Sequence, residues 1–191
     1  MRIAIDIDST LHHYWDVLSD ISRTRFGIDL PYEEQLTWGV TRLRPEQFAL
    51  CVRETHSDER ILAGVPYPGA VDAVRGWHRQ GNFVHITSHR DPSRLQATER
   101  WLRQIGLPFD DLHCSYDKIS RCVELGVELL IDDSPGNLGS AVAHGMRAAT
   151  IIHPWNRELC EEGDILCAED WTGLEALLEG VISDKHRSLA G

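Results

Sequence analysis

Four short groups of polar residues carry most of the chemistry this sequence offers. In chain order they are Asp6-Ile7-Asp8-Ser9-Thr10, Thr87-Ser88, Lys118, and Asp132-Asp133. Four carboxylates gathered at one mouth would repel one another by several kcal/mol unless a cation neutralised them. An oxygen-rich site with room for water and a phosphate suits Mg²⁺, which takes one or two carboxylates plus substrate oxygens. The cation would let an anionic carboxylate approach an anionic phosphate, and phosphoryl transfer asks the protein mainly for positioning and charge stabilisation.

These groups need a scaffold that brings them together. Residues Arg2 to Ile7 alternate aliphatics and end in acids, which predicts a buried strand delivering carboxylates at its C-terminal end. Leu11, Trp15, Leu18, Ile21 and Phe26 recur at helical spacing, and Gly27 stops the run. A second helix follows Pro45, and the stretch 62–69, rich in Gly and Pro, is a joint between modules. Beyond it, helices over 70–80, 92–104, 118–125, 135–144 and 174–182 alternate with strands over 82–87, 112–115, 127–131 and 147–152. That alternation predicts an α/β fold: a Rossmann-like parallel sheet with helices on both faces. The expected organisation is a core over 1–11 and 67–183, a small helical cap over 12–66 inserted after the first strand, and a polar tail over 184–191. In such a sheet ligands bind beyond the C-terminal strand ends, where the four polar groups fall.

In that order and at those strand ends, the four groups resemble the motifs of the haloacid dehalogenase (HAD) superfamily of phosphohydrolases. The resemblance implies that Asp6 attacks phosphorus to form an aspartyl-phosphate, and that Asp8 serves as acid and then base. It implies that Thr87, with Ser88, and Lys118 bind the phosphoryl group. Asp6, Asp8, Asp132 and Asp133 form the implied Mg²⁺ site, Asp8 through its backbone carbonyl; which of Asp132 and Asp133 touches the ion directly stays open. Ser9 departs from the pattern, standing where many members carry Gly, so the turn after the nucleophile needs a backbone angle that Ser can adopt, or is shifted.

Within the superfamily, roughly residues 1 to 157 resemble the 5′(3′)-deoxyribonucleotidase-like group with a small helical cap. The matching features are the insertion with Tyr32 to Trp38, Pro66-Tyr67-Pro68-Gly69-Ala70, Ile86-Thr87-Ser88, Ile131-Asp132-Asp133-Ser134-Pro135 and Pro154-Trp155-Asn156-Arg157. The implied substrate is a nucleoside monophosphate, the alternative another small phosphomonoester such as a sugar phosphate. Tyr14 and Trp38 are the candidate substrate-binding aromatics, with Arg42 and Arg44 as anion contacts. The competing reading places Trp15, Trp38 and Phe48 in the cap's own core and the arginines on a solvated face. A protein that binds a phosphometabolite without turnover is a third reading, disfavoured by the presence of both a nucleophile and an acid.

Composition narrows the classes further. The chain has 191 residues, 42% hydrophobic and 26% charged, as expected of a globular protein. Nineteen bases against 30 acids give a net charge of −11, which argues against nucleic-acid polymers as partners. Much of that excess lies between Asn156 and Asp184, where nine acids meet one base, whereas His12 to Arg90 holds ten acids and nine bases. Apolar runs are too short for a membrane span, and no secretion signal is read, so the expected location is the cytoplasm. The five cysteines, with no C-x-x-C pair, read as reduced, and a homodimer is left open. His85 and His89 straddle a strand and a loop and do not make a zinc pair; His12 and His13 read as hinge or surface residues, and Trp77, Trp101, Trp155 and Trp171 as packing.

Overall fold

Strand β1 (Arg2–Asp6) lies in the interior of a six-stranded, wholly parallel sheet in the computed structural model, which describes residues 1–37 and 40–188. On one side it pairs with β2 (Phe83–Ser88), which sets Asp6 opposite Thr87, and on the other with β4 (Leu129–Ile131). Strands β3 (Asp111–Cys114), β5 (Arg147–Ile151) and β6 (Leu166–Ala168) complete the order β3-β2-β1-β4-β5-β6. The chain reverses its direction of winding between β1 and β4, so the crevice beyond their C-terminal ends is the expected ligand position.

The alternation along β1 divides the interior. Ile3 and Ile5 face a cluster holding Val74, Trp77, Ile86, Trp101 and Trp171, whereas Ala4 faces Cys122, Leu130, Leu138 and Ala148. Both faces are therefore dry, as a parallel sheet requires. Helix α4 (Ala70–Arg79) buries Ala70, Ala73, Val74 and Trp77, one stripe at helical spacing. Helix α5 (Leu95–Gln104) does the same with Ala97, Thr98, Trp101 and Leu102. Helices α6 (Lys118–Glu124) and α7 (Pro135–Ala143) cross from β3 to β4 and from β4 to β5, α8 (Arg157–Glu161) is a short turn of helix before β6, and α9 (Trp171–Ser188) follows the last strand.

Between β1 and α4 the chain builds α1 (Tyr14–Phe26), a 3-10 turn over Tyr32–Glu34, α2 (Pro45–Thr55) and α3 (Asp58–Leu62). Trp15, Leu18, Ile21, Leu30, Val40, Leu43 and Cys51 form a third cluster, capped from the core side by Trp155. Trp15 is thus a core residue of the insertion, with its indole N–H donating to the Leu30 carbonyl at 3.2 Å. Gly27 ends α1 in the left-handed conformation, its N–H donating to the Arg23 carbonyl. Helix α3 behaves differently: Ile61 packs into the main core, alongside α5.

Helix α3, helix α8 and strand β6 were not expected from the pattern, and α9 begins at Trp171 rather than Leu174. These differences correct one expectation about cysteines. Cys160 on α8 and Cys167 on β6 are joined in a disulfide, with Cα atoms 5.8 Å apart, whereas Cys51, Cys114 and Cys122 are free and buried. The pairing joins the short helix α8 to the short strand β6 across a separation of seven residues. Among the described residues no helix is long and apolar enough to cross a membrane.

Candidate active site

The parallel strands bring Asp6, Lys118, Asp132 and Asp133 to one point, all of them buried. Asp6 ends β1, Asp132 and Asp133 follow β4, and Lys118 opens α6. The Lys118 ammonium donates to Asp6 Oδ1 at 2.5 Å and to Asp132 Oδ2 at 2.8 Å. Asp132 is fixed further by the Ser134 N–H on Oδ1 (2.9 Å) and by Asn137 Nδ2, 3.1 Å from both oxygens. The Trp155 indole donates to Asp133 Oδ2 at 3.0 Å.

One carboxylate oxygen each from Asp6, Asp132 and Asp133 lies within 4.8 Å of the others. Burial pushes the Asp6 carboxyl up to about 7, against the pull of Lys118 and with the repulsion of Asp132. Asp133 is held well above the usual carboxylate range by burial and by the charges of Asp6 and Asp132. Burial works against the Lys118 charge, but Asp132 and Asp6 outweigh it and raise its pKa. With one ammonium beside them, the three acids can all be ionised only if further positive charge is supplied. A hard cation with oxygen ligands fits that donor set.

Asp8 stands apart from this cluster. Its carboxylate accepts from Arg90 Nε (3.1 Å) and Nη2 (2.7 Å) and from Ser88 Oγ (3.2 Å), with His56 Nε2 at 3.5 Å and His12 Nε2 at 3.9 Å. Burial would raise this carboxyl, yet the Arg90 guanidinium and the His56 contact carry it well below the ordinary range. Asp6 and Asp8, two residues apart, thus sit in opposite electrostatic settings. Ser88 joins this second setting: its hydroxyl donates to Asp8 and accepts the Arg90 N–H. Thr87 keeps that prospect, since its buried Oγ1 makes no hydrogen bond and lies level with Asp6 across the sheet. Ser9 takes φ +64°, so the turn keeps its place and the serine adopts the left-handed angle that favours Gly.

Above these residues opens a cavity of about 390 Å³. Its floor is Asp6, Asp8, Lys118, Asp132 and Asp133; the insertion contributes Tyr14, Phe48, Val52 and His56, and the core His89, Tyr116, Ser134 and Asn137. Tyr14 lines the cavity, though it is largely buried and its hydroxyl accepts from Thr55 Oγ1 at 3.1 Å. Trp38 lies outside the described residues. Arg42 pairs with Glu34 and Arg44 with Glu46, so the solvated-face reading of these arginines is the one the structure supports. His12 is buried at the hinge, bridging toward Asp8 and Pro66, while His85 contacts Asp111 and His89 faces the cavity. Sequence reasoning missed Arg90, His56, Asn137 and Tyr116, and took Trp155 for packing alone.

A scan against protein-family models and a search of curated proteins find no match. Solved structures do match over nearly the whole chain. A HAD family hydrolase from Deinococcus radiodurans R1, with bound phosphate and sodium, is 15% identical with a TM-score of 0.64, covering 97% of this chain and 96% of that one. The chain has the HAD fold. CbbY from Rhodobacter sphaeroides in complex with xylulose-(1,5)bisphosphate shares that HAD fold at 18% identity and a TM-score of 0.58, over 91% of this chain and 98% of the other. So does a predicted phosphoglycolate phosphatase from Haemophilus somnus, at 13% identity and 0.64, with 96% of each chain covered. At these identities the likeness is one of HAD architecture.

Proposed function

We propose that the chain is a Mg²⁺-dependent phosphomonoester hydrolase of the HAD superfamily, acting through an aspartyl-phosphate on a small phosphorylated metabolite of the sugar-phosphate kind. The observation that carries the reading is the buried Asp6 carboxylate at the floor of the cavity, paired with Lys118 and flanked by Asp132 and Asp133. A binding site for a phosphate would gain nothing from placing a carboxylate there.

An Asp6 oxygen attacks phosphorus while the bond from phosphorus to the leaving oxygen breaks. Lys118 holds the nucleophile in place and offsets charge on the transferring group, a task its compact ammonium suits. The free Thr87 hydroxyl donates to a phosphoryl oxygen. Asp8 supplies the leaving oxygen with a proton and later takes one from the water that releases phosphate from Asp6. As held by Arg90 and His56 it is ionised, ready for the second task. The first requires it to leave that grip and pick up a proton. When bound by Asp6, Asp132 and Asp133, Mg²⁺ supplies charge neutralisation between carboxylate and phosphate.

Three observations favour sugar phosphates over nucleotides. Arg42 and Arg44 are engaged elsewhere, and Tyr14, although it lines the cavity, is only 4% exposed and offers little open surface for stacking. Of the structural neighbours, CbbY is in complex with xylulose-(1,5)bisphosphate and another is a predicted phosphoglycolate phosphatase; both compounds are small non-nucleotide phosphates. The test is phosphate release, with Mg²⁺, from a panel of sugar phosphates, phosphoglycolate and ribo- and deoxyribonucleoside monophosphates. Highest kcat/KM among the first two groups is expected; highest among nucleotides would restore the nucleotidase reading.

A further inference from the structure

The turn after β5, His153-Pro154-Trp155-Asn156, is tied to two loops of the site at once. Trp155 and Asn156 reach Asp133, the indole donating to its carboxylate at 3.0 Å and Asn156 Nδ2 to its carbonyl at 3.2 Å. His153 reaches the other loop. Its Nε2 is 2.7 Å from the Ser9 carbonyl, and its Nδ1 is 2.5 Å from the Tyr32 hydroxyl, on the inserted helical region. A carbonyl only accepts, so Nε2 carries the hydrogen; the neutral ring then has its lone pair at Nδ1, and the Tyr32 O–H donates into it. The imidazole is buried and stacks flat on Trp155, with centroids 4.5 Å apart. Burial lowers its pKa to about 4, which keeps it neutral.

Ser9 is where that hydrogen bond ends. Among the described residues it is the one non-glycine with positive φ, a conformation that costs an L-residue about 1–2 kcal/mol. Its hydroxyl is buried and makes no hydrogen bond, so the side chain returns nothing for the strain. The turn is held through its backbone, by the Ser9 N–H on the His12 carbonyl at 3.0 Å and by His153 on the Ser9 carbonyl.

We propose that His153 is a positioning residue that holds the left-handed turn at Ser9, and so the aim of Asp8, in place of the freedom a glycine would give, with Tyr32 keeping the ring in the donating tautomer. The proposal rests on the reading of Asp6 and Asp8 as the catalytic pair. Relaxation of Ser9 toward negative φ would rotate the Asp8–Ser9 peptide against its neighbours. Asp8 would then be displaced while the floor of Asp6, Lys118 and Asp132 stayed intact. The expected signature is a fall in kcat with little change in KM.

The experiment is a double-mutant cycle of His153→Phe with Ser9→Gly, read by steady-state phosphate release and by thermal unfolding. His153→Phe is expected to lower kcat by roughly tenfold or more with KM within about threefold. In the Ser9→Gly background the same change should cost less than about threefold, and the drop in Tm should shrink in parallel. His153→Gln, whose Nε2 can still donate to the carbonyl, should retain most of the activity, and Tyr32→Phe should lie between. It also carries the test if His153→Phe does not fold. Equal losses from His153→Phe in both backgrounds, or His153→Gln as impaired as His153→Phe, would overturn the proposal. Should the wild-type protein hydrolyse no phosphomonoester, the functional reading fails, while the unfolding cycle still reports whether His153 and Ser9 are coupled.

Discussion

Arg90 grips Asp8 at two points, Nη2 on Oδ1 at 2.7 Å and Nε on Oδ2 at 3.1 Å, with the guanidinium 1% exposed. Its third nitrogen, Nη1, donates to Thr98 Oγ1 at 3.2 Å, and the group lies over the Trp101 ring. An arginine this buried is stable only with its charge matched. Arg90→Met therefore leaves the Asp8 carboxylate without its main partner and should destabilise the protein by about 3–5 kcal/mol. Urea unfolding at neutral pH measures this. Adding Asp8→Asn should recover part of the loss, because the uncompensated charge goes with it; a loss below about 1 kcal/mol for the single variant would mean that the pair is not formed.

Lys118→Met tests the second ion-pair network. It removes the ammonium that contacts both Asp6 and Asp132. Turnover should fall by at least about 100-fold, since the point charge beside the nucleophile is gone. Mg²⁺ should still raise Tm, because Asp6, Asp132 and Asp133 remain. Loss of the Mg²⁺ response together with activity would show that the lysine organises the cation site as well.

Acid sensitivity should arise partly away from the site. Burial lowers His85 to about 4, despite Asp111 Oδ2 at 2.9 Å from its Nδ1. The unfolded imidazole takes its proton near pH 6.5, so between about 6.5 and about 4 the unfolded state binds more protons and stability falls as pH falls. The slope from one such residue reaches about 1.4 kcal/mol per pH unit. In His85→Gln the dependence of unfolding free energy on pH across that window should flatten. An unchanged profile would show that His85 is already protonated when folded.

Tyr116 is 76% exposed at the cavity mouth, its ring stacked near His89. Being exposed, it contributes little to folding, and Tyr116→Ala should change stability by no more than about 0.5 kcal/mol. If the substrate rests against it, KM rises by roughly 3–30-fold while kcat holds. An unaltered KM would place the substrate deeper, against Phe48 and Val52.

Asp6, Lys118, Asp132 and Asp133 were readable because each sits at a strand end or helix start that hydrophobic patterning alone locates, and a parallel sheet carries all such ends to one edge. Arg90 was not readable. Its partner is 82 residues away, and nothing local separates it from the sixteen other arginines. The one hint was its place just past the end of β2. The contacts of Ser88 were unreadable for a related reason: its hydroxyl is engaged by Asp8 and by the Arg90 N–H. Cys160 and Cys167 were unreadable as a pair because α8 and β6 are five and three residues long, too short for a periodic signal. Ser9 was legible as an anomaly, whereas its partner His153 required the sheet to be folded.

The most direct test of the central claim compares wild type with Asp6→Asn in Mg²⁺-dependent phosphate release from the best substrate of the panel. Wild-type turnover that stops on chelation and returns with Mg²⁺, together with a loss of at least about 1,000-fold in Asp6→Asn, is the predicted result. An Asp6→Asn protein that keeps activity within about tenfold of wild type would contradict the assignment of Asp6 as nucleophile.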